Sequence, residues 1–309
     1  MKNLRQRGRL YTILPNGNSG FDMRFSRVIL LAACSLSCWA QWRGPLVVGH
    51  RGARAARPEN TIAAFRHALA AGADVLELDV VLTKDDRLVV NHDLTIPLDL
   101  CFIPGEAAPD PPLFVRNLTL AEVKRFDCGS RRNKAFPNQV TVPGERIPTL
   151  EEVFEAVAGS RADLMIETKM AQDASPVFVQ PRHFARLLHG AIARAGMAER
   201  VIIQSFDYRT LAEIHKLDPK IRLCLLNPRK RLDDYVAPAR ALGATHQLIN
   251  YTIIQPEDVP RLHAAGLKIF SGTTDDREVW KRLIGMQVDG ILTDDPGGLV
   301  EMLKSMGLR

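Results

Sequence analysis

From residue 45 onward the chain alternates between two hydrophobic periods. Short apolar or β-branched runs of strand length recur, separated by longer stretches whose apolar positions fall three and four apart. The short runs are Leu46–His50, Val75–Thr83, Asp163–Lys169, Arg200–Phe206, Ile221–Leu226, Thr245–Asn250, Leu267–Gly272 and Val288–Thr293. The longer ones are Asn60–Ala71, Leu150–Ala158, Arg182–Ala195, Tyr208–Leu217, Leu232–Leu242, Pro256–Ala265 and Asp276–Met286. Gly72, Gly196, Gly243 and Gly266 follow helical stretches, where a left-handed residue closes a helix at least steric cost. Eight strands, each followed sooner or later by a helix, predict a closed parallel (β/α)8 TIM barrel of the α/β class over residues 41–309. A Rossmann-like open sheet is the competing arrangement, but Gly49-His50-Arg51-Gly52 after the first strand lacks the GxGxxG spacing.

The second unit is interrupted. Leu88–His92 reads as a short strand beyond the Lys84-Asp85-Asp86-Arg87 turn, and the stretch from there to Pro148 holds eight of the chain's nineteen prolines. That density predicts an irregular insertion over about residues 94–148. Phe102, Phe114, Phe126 and Phe136 lie within it and are expected to pack a small subdomain that shapes one side of the cleft.

Composition adds a compartment. The chain has 309 residues and a formal charge of +6. Lys2, Arg5, Arg7, Arg9, Arg24 and Arg27 against Asp22 place most of that excess in residues 1–40, leaving 35 basic and 34 acidic residues downstream. The barrel therefore has no bulk charge with which to attract nucleic acid or anionic lipid. From Met23 two arginines precede an apolar run, Val28 to Ala40, that ends in small residues, the pattern of an export signal. Cys38-Trp39-Ala40 predicts cleavage after Ala40 and a periplasmic or secreted protein without an integral span. Leu31-Ala32-Ala33-Cys34 resembles a lipobox and offers a lipid-anchored Cys34 as the alternative. Of the downstream cysteines, Cys101 and Cys128 share one loop-like segment, where a disulfide is open to them, and Cys224 lies in an apolar run as a core residue.

Barrel enzymes place their chemistry at the C-terminal ends of strands. There the chain sets His50-Arg51, then Glu77 and Asp79, Asn91-His92-Asp93, Glu167 and Lys169, Gln204-Ser205, and Thr293-Asp294-Asp295. Glu77 and Asp79 are two apart on a strand, so they face one way while Leu76, Leu78 and Val80 face the other. Two inward carboxylates need a cation, and Glu167 completes an all-oxygen set suited to one Mg²⁺ or Ca²⁺ ion. A structural ion-pair cluster with Arg51 and Lys169 is the competing account. His50 and His92 are the two strand-end histidines, whereas His67, His183, His189, His215 and His263 fall on helical patterns and His246 is ambiguous. A metal, two cations for an anionic group and two histidines describe phosphoryl-ester hydrolysis better than sugar or peptide chemistry.

His50-Arg51-Gly52, Pro58-Glu59-Asn60-Thr61, Glu77-Leu78-Asp79, His92-Asp93, Glu167-Thr168-Lys169, Gln204-Ser205-Phe206 and Asp289-Gly290-Ile291-Leu292-Thr293-Asp294 together resemble the glycerophosphodiester phosphodiesterase family, in order, over residues 46–303. The resemblance implies a (β/α)8 barrel with an insertion after its second strand. It also implies divalent-metal-dependent hydrolysis of a small glycerophosphodiester to sn-glycerol 3-phosphate and an alcohol, through a cyclic phosphate. It further implies that Glu77, Asp79 and Glu167 are metal ligands and His50 and His92 the acid/base pair. Arg51 and Lys169 would contact phosphate, and Glu59 would orient or line the site. Related barrels acting as lysophospholipase D or sphingomyelinase D are the alternative, and a non-catalytic binding protein is a third. In its seventh strand the family usually shows Trp-Thr and then Asn, where this chain has Gly272-Thr273-Thr274-Asp275. The missing aromatic is expected to widen the site near the glycerol moiety or to move its packing partner elsewhere.

Overall fold

The computed structural model describes residues 42–227 and 230–309. The expectations about Met23, Cys34 and cleavage after Ala40 lie outside these residues. Among the described residues no helix is long and apolar enough to cross a membrane.

Eight parallel strands close on themselves. They are β1 (Leu46–Gly49), β2 (Val75–Leu82), β4 (Asp163–Thr168), β5 (Val201–Ser205), β6 (Arg222–Leu226), β7 (His246–Asn250), β8 (Lys268–Gly272) and β9 (Gly290–Thr293). Each pairs with its neighbour, and β1 pairs with both β2 and β9, for example Val48 with Val75 and with Leu292, which closes the barrel. Among the described residues only the strand β3 (Leu88–Val90) runs antiparallel, folding back on β2 before the insertion. The helices between them are α1 (Ile62–Ala71), α2 (Leu120–Val123), α3 (Leu150–Val157), α4 (Pro181–Arg194), α5 (Tyr208–Leu217), α6 (Val236–Ala241), α7 (Asp258–Ala264), α8 (Arg277–Gly285) and α9 (Pro296–Ser305).

The period-two pattern decides what lies where. Outward residues such as Leu76, Leu78 and Val80 join the large core between strands and helices. Inward residues Val48, Val75, Met165, Ile202, Cys224, Phe270 and Leu292 fill the barrel interior. The apolar inward positions stop short of the C-terminal mouth, and the next inward residues on β2 and β4 are the acids. Helix starts follow cap chemistry: Thr61 accepts from Ala64 N, Thr149 and Glu152 form a reciprocal capping box, and Asp276 accepts from Glu278 N and Val279 N.

Several boundaries differ from expectation. The first strand ends at Gly49 because Arg51 turns to a positive φ of 51°, and α1 begins at Ile62 because Asn60 takes φ 56°. The helix expected over Leu232–Leu242 begins at Val236, where Asp234 caps Val236 N and Ala237 N, so Pro238 falls in the first turn and needs no amide partner. Likewise α7 begins at Asp258, whose carboxylate accepts from Gln255 N and pairs with Arg231.

The insertion is irregular, with one 3-10 turn at Val115–Asn117 and the short α2. Its core is aliphatic rather than aromatic. Phe126 is buried with Ile96, Val115, Val123 and Ile147, but Phe102 and Phe136 lie under the guanidinium groups of Arg131 and Arg54. Cys101 and Cys128 are joined in a disulfide, and Cys224 is a free, buried thiol.

Candidate active site

The residues following β1 are placed by a tight turn. Gly52 has φ +85°, and a Cβ there would come within 2.8 Å of Ala64, so only glycine lets this loop pack on α1. That turn delivers His50, Arg51 and Glu59 to the barrel mouth. Arg51 donates its main-chain N–H to Glu77 Oε2 at 2.9 Å, and its guanidinium lies 2.6 Å from Glu59 Oε1 and 3.6 Å from Asp79 Oδ2.

Glu77, Asp79 and Glu167 converge as the strand pattern requires. One oxygen from each lies within 4.8 Å of the others, and all three residues are buried. Lys169 Nζ sits among them, 2.6 Å from Glu167 Oε1 and 3.0 Å from Asp79 Oδ1. Asn60 Nδ2 donates to Asp79 Oδ2 at 3.0 Å, and Gln204 Nε2 donates to Glu77 Oε1 at 2.9 Å. Burial and the neighbouring acids push the carboxyl of Glu77 well above its ordinary range, and they also raise Glu167. Burial acts on Asp79 in the same sense, but Lys169, His92, Arg51 and Asn60 outweigh it and hold Asp79 ionised far below the usual range.

This donor set fits a hard divalent cation. It is all oxygen, its three acids face Lys169 and an Arg51 guanidinium already paired with Glu59, and burial with this excess of acid pushes Glu77 toward the protonated form. Gln204 Oε1 is buried beside Glu77 with no hydrogen-bond partner. Glu77, Asp79 and Glu167 are the residues that could hold the ion.

Each histidine leans on a carboxylate. His50 Nδ1 is 2.6 Å from Asp294 Oδ1, and His92 Nδ1 is 2.7 Å from Asp93 Oδ1. The two carboxylates thereby leave Nε2 of each ring as the nitrogen free for proton exchange. Burial lowers the pKa of His50 and outweighs the opposing pull of Asp294. His92 is more open and lies on the wall between two depressions. One, beneath the insertion beside Asn60 and the disulfide, has room for only about 40 Å³ of water-sized space. The other is a broad groove past Glu167 and Lys169, walled by Met170, Phe206 and Tyr208.

The structure thus brings all eight sequence-predicted residues to the barrel mouth. His246 is set apart from them: it starts β7 at the opposite end, packs edge-on against Phe270 at 5.3 Å, and burial pushes its pKa down to about 3. The remaining histidines lie on helices, His183 pairing with Asp86 and His263 with Asp289. Gly272 has φ +143°, and a Cβ there would stand 2.5 Å from the carbonyl oxygen of Leu292, so this wall carries no side chain.

Sequence reasoning gave no role to Asn60, Gln204, Asp294 or Arg54. A polar residue interrupting an apolar strand was the available signal for Gln204, and Asp294 stood at a strand end. Nothing in the pattern marks Arg54, whose partners lie 240 residues away and in the insertion.

Residues 50–298 match the model of the glycerophosphoryl diester phosphodiesterase family. A glycerophosphodiester phosphodiesterase from Caldanaerobacter subterraneus is 36% identical over 262 residues, covering 85% of this chain and 99% of that protein. The crystal structure of a putative glycerophosphoryl diester phosphodiesterase from Silicibacter pomeroyi has a TM-score of 0.79 at 28% identity, covering 85% of this chain and 94% of that one. A phosphodiesterase from Oleispira antarctica, solved with its product sn-glycerol-3-phosphate, shares the fold at TM-score 0.71 and 22% identity, covering 84% and 97%. With a family match over most of the barrel, and with the expected residues assembled at its mouth, the chain belongs to the glycerophosphoryl diester phosphodiesterase family.

Proposed function

We propose that this chain hydrolyses glycerophosphodiesters to sn-glycerol 3-phosphate and a free alcohol by acid/base catalysis between His50 and His92. The observation that carries the reading is the pair of histidines, each fixed by its own carboxylate, beside one cluster of three buried acids. His50, little exposed and with its pKa lowered by desolvation, is suited to act first as the base. Its Nε2 accepts the proton of the glycerol 2-hydroxyl while that oxygen bonds to phosphorus. The bond from phosphorus to the departing alcohol breaks as His92 donates a proton to the leaving oxygen. The products of this step are a five-membered cyclic phosphate and the alcohol. In the second step His92 accepts a proton from water, whose oxygen bonds to phosphorus, and His50 returns its proton to the 2-oxygen as the ring opens.

Glu77, Asp79 and Glu167 would hold one Mg²⁺ or Ca²⁺ ion, which when bound supplies positive charge to the phosphate and the glycerol hydroxyls. Arg51 and Lys169 orient the anionic phosphate, and Glu59 keeps the Arg51 guanidinium in place. The leaving alcohol lies in the groove along Met170, Phe206 and Tyr208, because the pocket beneath the insertion, at about 40 Å³, is too small for a headgroup. The export-like leader supports a periplasmic or secreted setting, with a lipidated Cys34 as the other possibility.

The test is release of the free alcohol from glycerophosphocholine, glycerophosphoethanolamine, glycerophosphoglycerol and lysophosphatidylcholine, with sn-glycerol 3-phosphate as the other product of the first three and lysophosphatidate of the last. It is run in EDTA and again after Mg²⁺ or Ca²⁺ is restored. Cation-restored release from the water-soluble diesters is the expected result. Faster turnover of micellar lysolipid would transfer the reading to a lysophospholipase D, and release undiminished by EDTA would overturn the metal assignment.

A further inference from the structure

His50 owes its orientation to Asp294, and Asp294 is itself held by more than the histidine. Its Oδ1 takes a second donor, Arg54 Nε, at 2.7 Å, while its main-chain N–H is anchored on Asp275 Oδ1 at 2.8 Å. Arg54 and Arg51 stand three residues apart but work in different directions. Arg51 turns toward Glu59 and Asp79, at the phosphate side, whereas Arg54 turns toward Asp294 and reaches Glu59 only at 3.7 Å.

What holds Arg54 comes from the insertion. Its guanidinium lies over the ring of Phe136, 5.1 Å from the centroid. Its main-chain oxygen accepts from Gln139 Nε2 at 2.6 Å, and Gln139 is fully buried there, with a second bond to Arg57 O at 3.1 Å. Val140 N–H donates to Ala56 O at 3.0 Å, giving the insertion a further hold on the same few residues. A guanidinium packed on an aromatic face and tied at its own backbone has lost most of its rotamer freedom before it meets Asp294.

We propose that Arg54 is a positioning residue for the reaction, and that the insertion segment around Phe136 and Gln139 sets it so that Asp294 holds the His50 ring in register. The geometry assigns the segment a role in turnover that contact with substrate does not require. Sharing Asp294 Oδ1 between His50 and Arg54 also balances part of the carboxylate charge, so that Asp294 orients the ring with less pull on its proton. The inference rests on the reading of His50 as a base, and its test separates the two.

The experiment uses the purified full chain with glycerophosphocholine at saturating Mg²⁺ or Ca²⁺. It measures kcat and KM for Arg54→Gln, Asp294→Asn, Phe136→Ala, Phe136→Tyr and the doubles Arg54→Gln/Asp294→Asn and Arg54→Gln/Phe136→Ala. Asp294→Asn should lower kcat about 100-fold and Arg54→Gln about tenfold, with KM unchanged within about twofold. The Arg54→Gln/Asp294→Asn double should be no slower than Asp294→Asn, because groups acting through one chain of contacts are not additive. Phe136→Ala should lower kcat about threefold, Phe136→Tyr should restore it, and the Phe136→Ala loss should vanish in the Arg54→Gln background. Independently of turnover, ¹⁵N spectra of His50 should show a single Nδ1–H tautomer in the wild type and a mixed population in Arg54→Gln. Additive losses, a kcat for Arg54→Gln within twofold of wild type, or an unchanged His50 tautomer would overturn the proposal. A wild type that turns over no glycerophosphodiester but shows the tautomer shift would sink the reaction reading and leave the positioning role standing.

Discussion

Replacing Glu77 by glutamine should abolish cation-dependent turnover and yet make the cation-free protein more stable. Glu77 is buried, with Asp79 and Glu167 oxygens within 4.8 Å of its own. Two unit charges at that distance repel by about 3.5 kcal/mol at an effective dielectric of 20. Glu77 faces two such neighbours; Lys169 offsets about one of them and the charge of Arg51 is taken up by its closer partner Glu59, so roughly 3 kcal/mol of net repulsion remains when all three acids are ionised. The substituted glutamine would keep the hydrogen bond from Arg51 N–H. A turn of the Gln204 amide, whose oxygen has no partner, would let it accept from the new side chain. For a domain of about 270 residues, 3 kcal/mol corresponds to about 5 °C in Tm. The dependence on pH follows from linkage: Glu77 binds its proton more tightly folded than unfolded, so the wild type loses stability as pH rises from the ordinary glutamate range through the raised value. Thermal unfolding followed by circular dichroism in EDTA should therefore place Glu77→Gln about 5 °C above the wild type at pH 8, the gap closing toward pH 5. Added Mg²⁺ or Ca²⁺ should raise only the wild type. A variant less stable than wild type at pH 8 in EDTA, or a gap indifferent to pH, would refute the assignment of these acids as a destabilised cation site.

Three further outcomes are expected. In a single turnover, His92→Ala should slow release of an alkyl alcohol about 10²- to 10⁴-fold but release of a nitrophenol less than about tenfold, since the latter departs without a proton. Equal losses on both, measured by product release, would remove His92 from the acid role. Reducing the Cys101–Cys128 disulfide, which spans a separation of 27 residues, should cost about 3.5 kcal/mol by loop closure, or about 6 °C in Tm. An unchanged melting point in a strong reductant would contradict that. Gly272→Ala should destabilise by about 2–3 kcal/mol, because its Cβ would stand 2.5 Å from Leu292 O at a φ of +143°. Urea titration showing no change would mean the strand end can yield.

Local chemistry made much of this protein legible without coordinates. Period two along Val75–Leu82 placed Glu77 and Asp79 on one face and the leucines on the other, because side chains of a strand alternate whatever the strand packs against. The same logic paired Glu167 with Lys169, and the barrel rule then sent all four to one mouth. Helix ends were less legible, since Asp234 and Asp258 can cap at more than one position and the winner depends on partners such as Arg231.

Tertiary structure decided the rest. Closure of β1 onto β9 brings Asp294 within 2.6 Å of His50 across 244 positions of sequence, a pairing that no local period encodes. Fold also decided that Phe102 and Phe136 serve as platforms for arginines rather than as a core, and that the insertion leaves a narrow pocket while the open groove lies on the other side of His92. The residue types of the site were set by the sequence because their chemistry is intrinsic. Their charges, tautomers and partners were set by burial and by chain closure, which act only once distant segments share one small, poorly hydrated space.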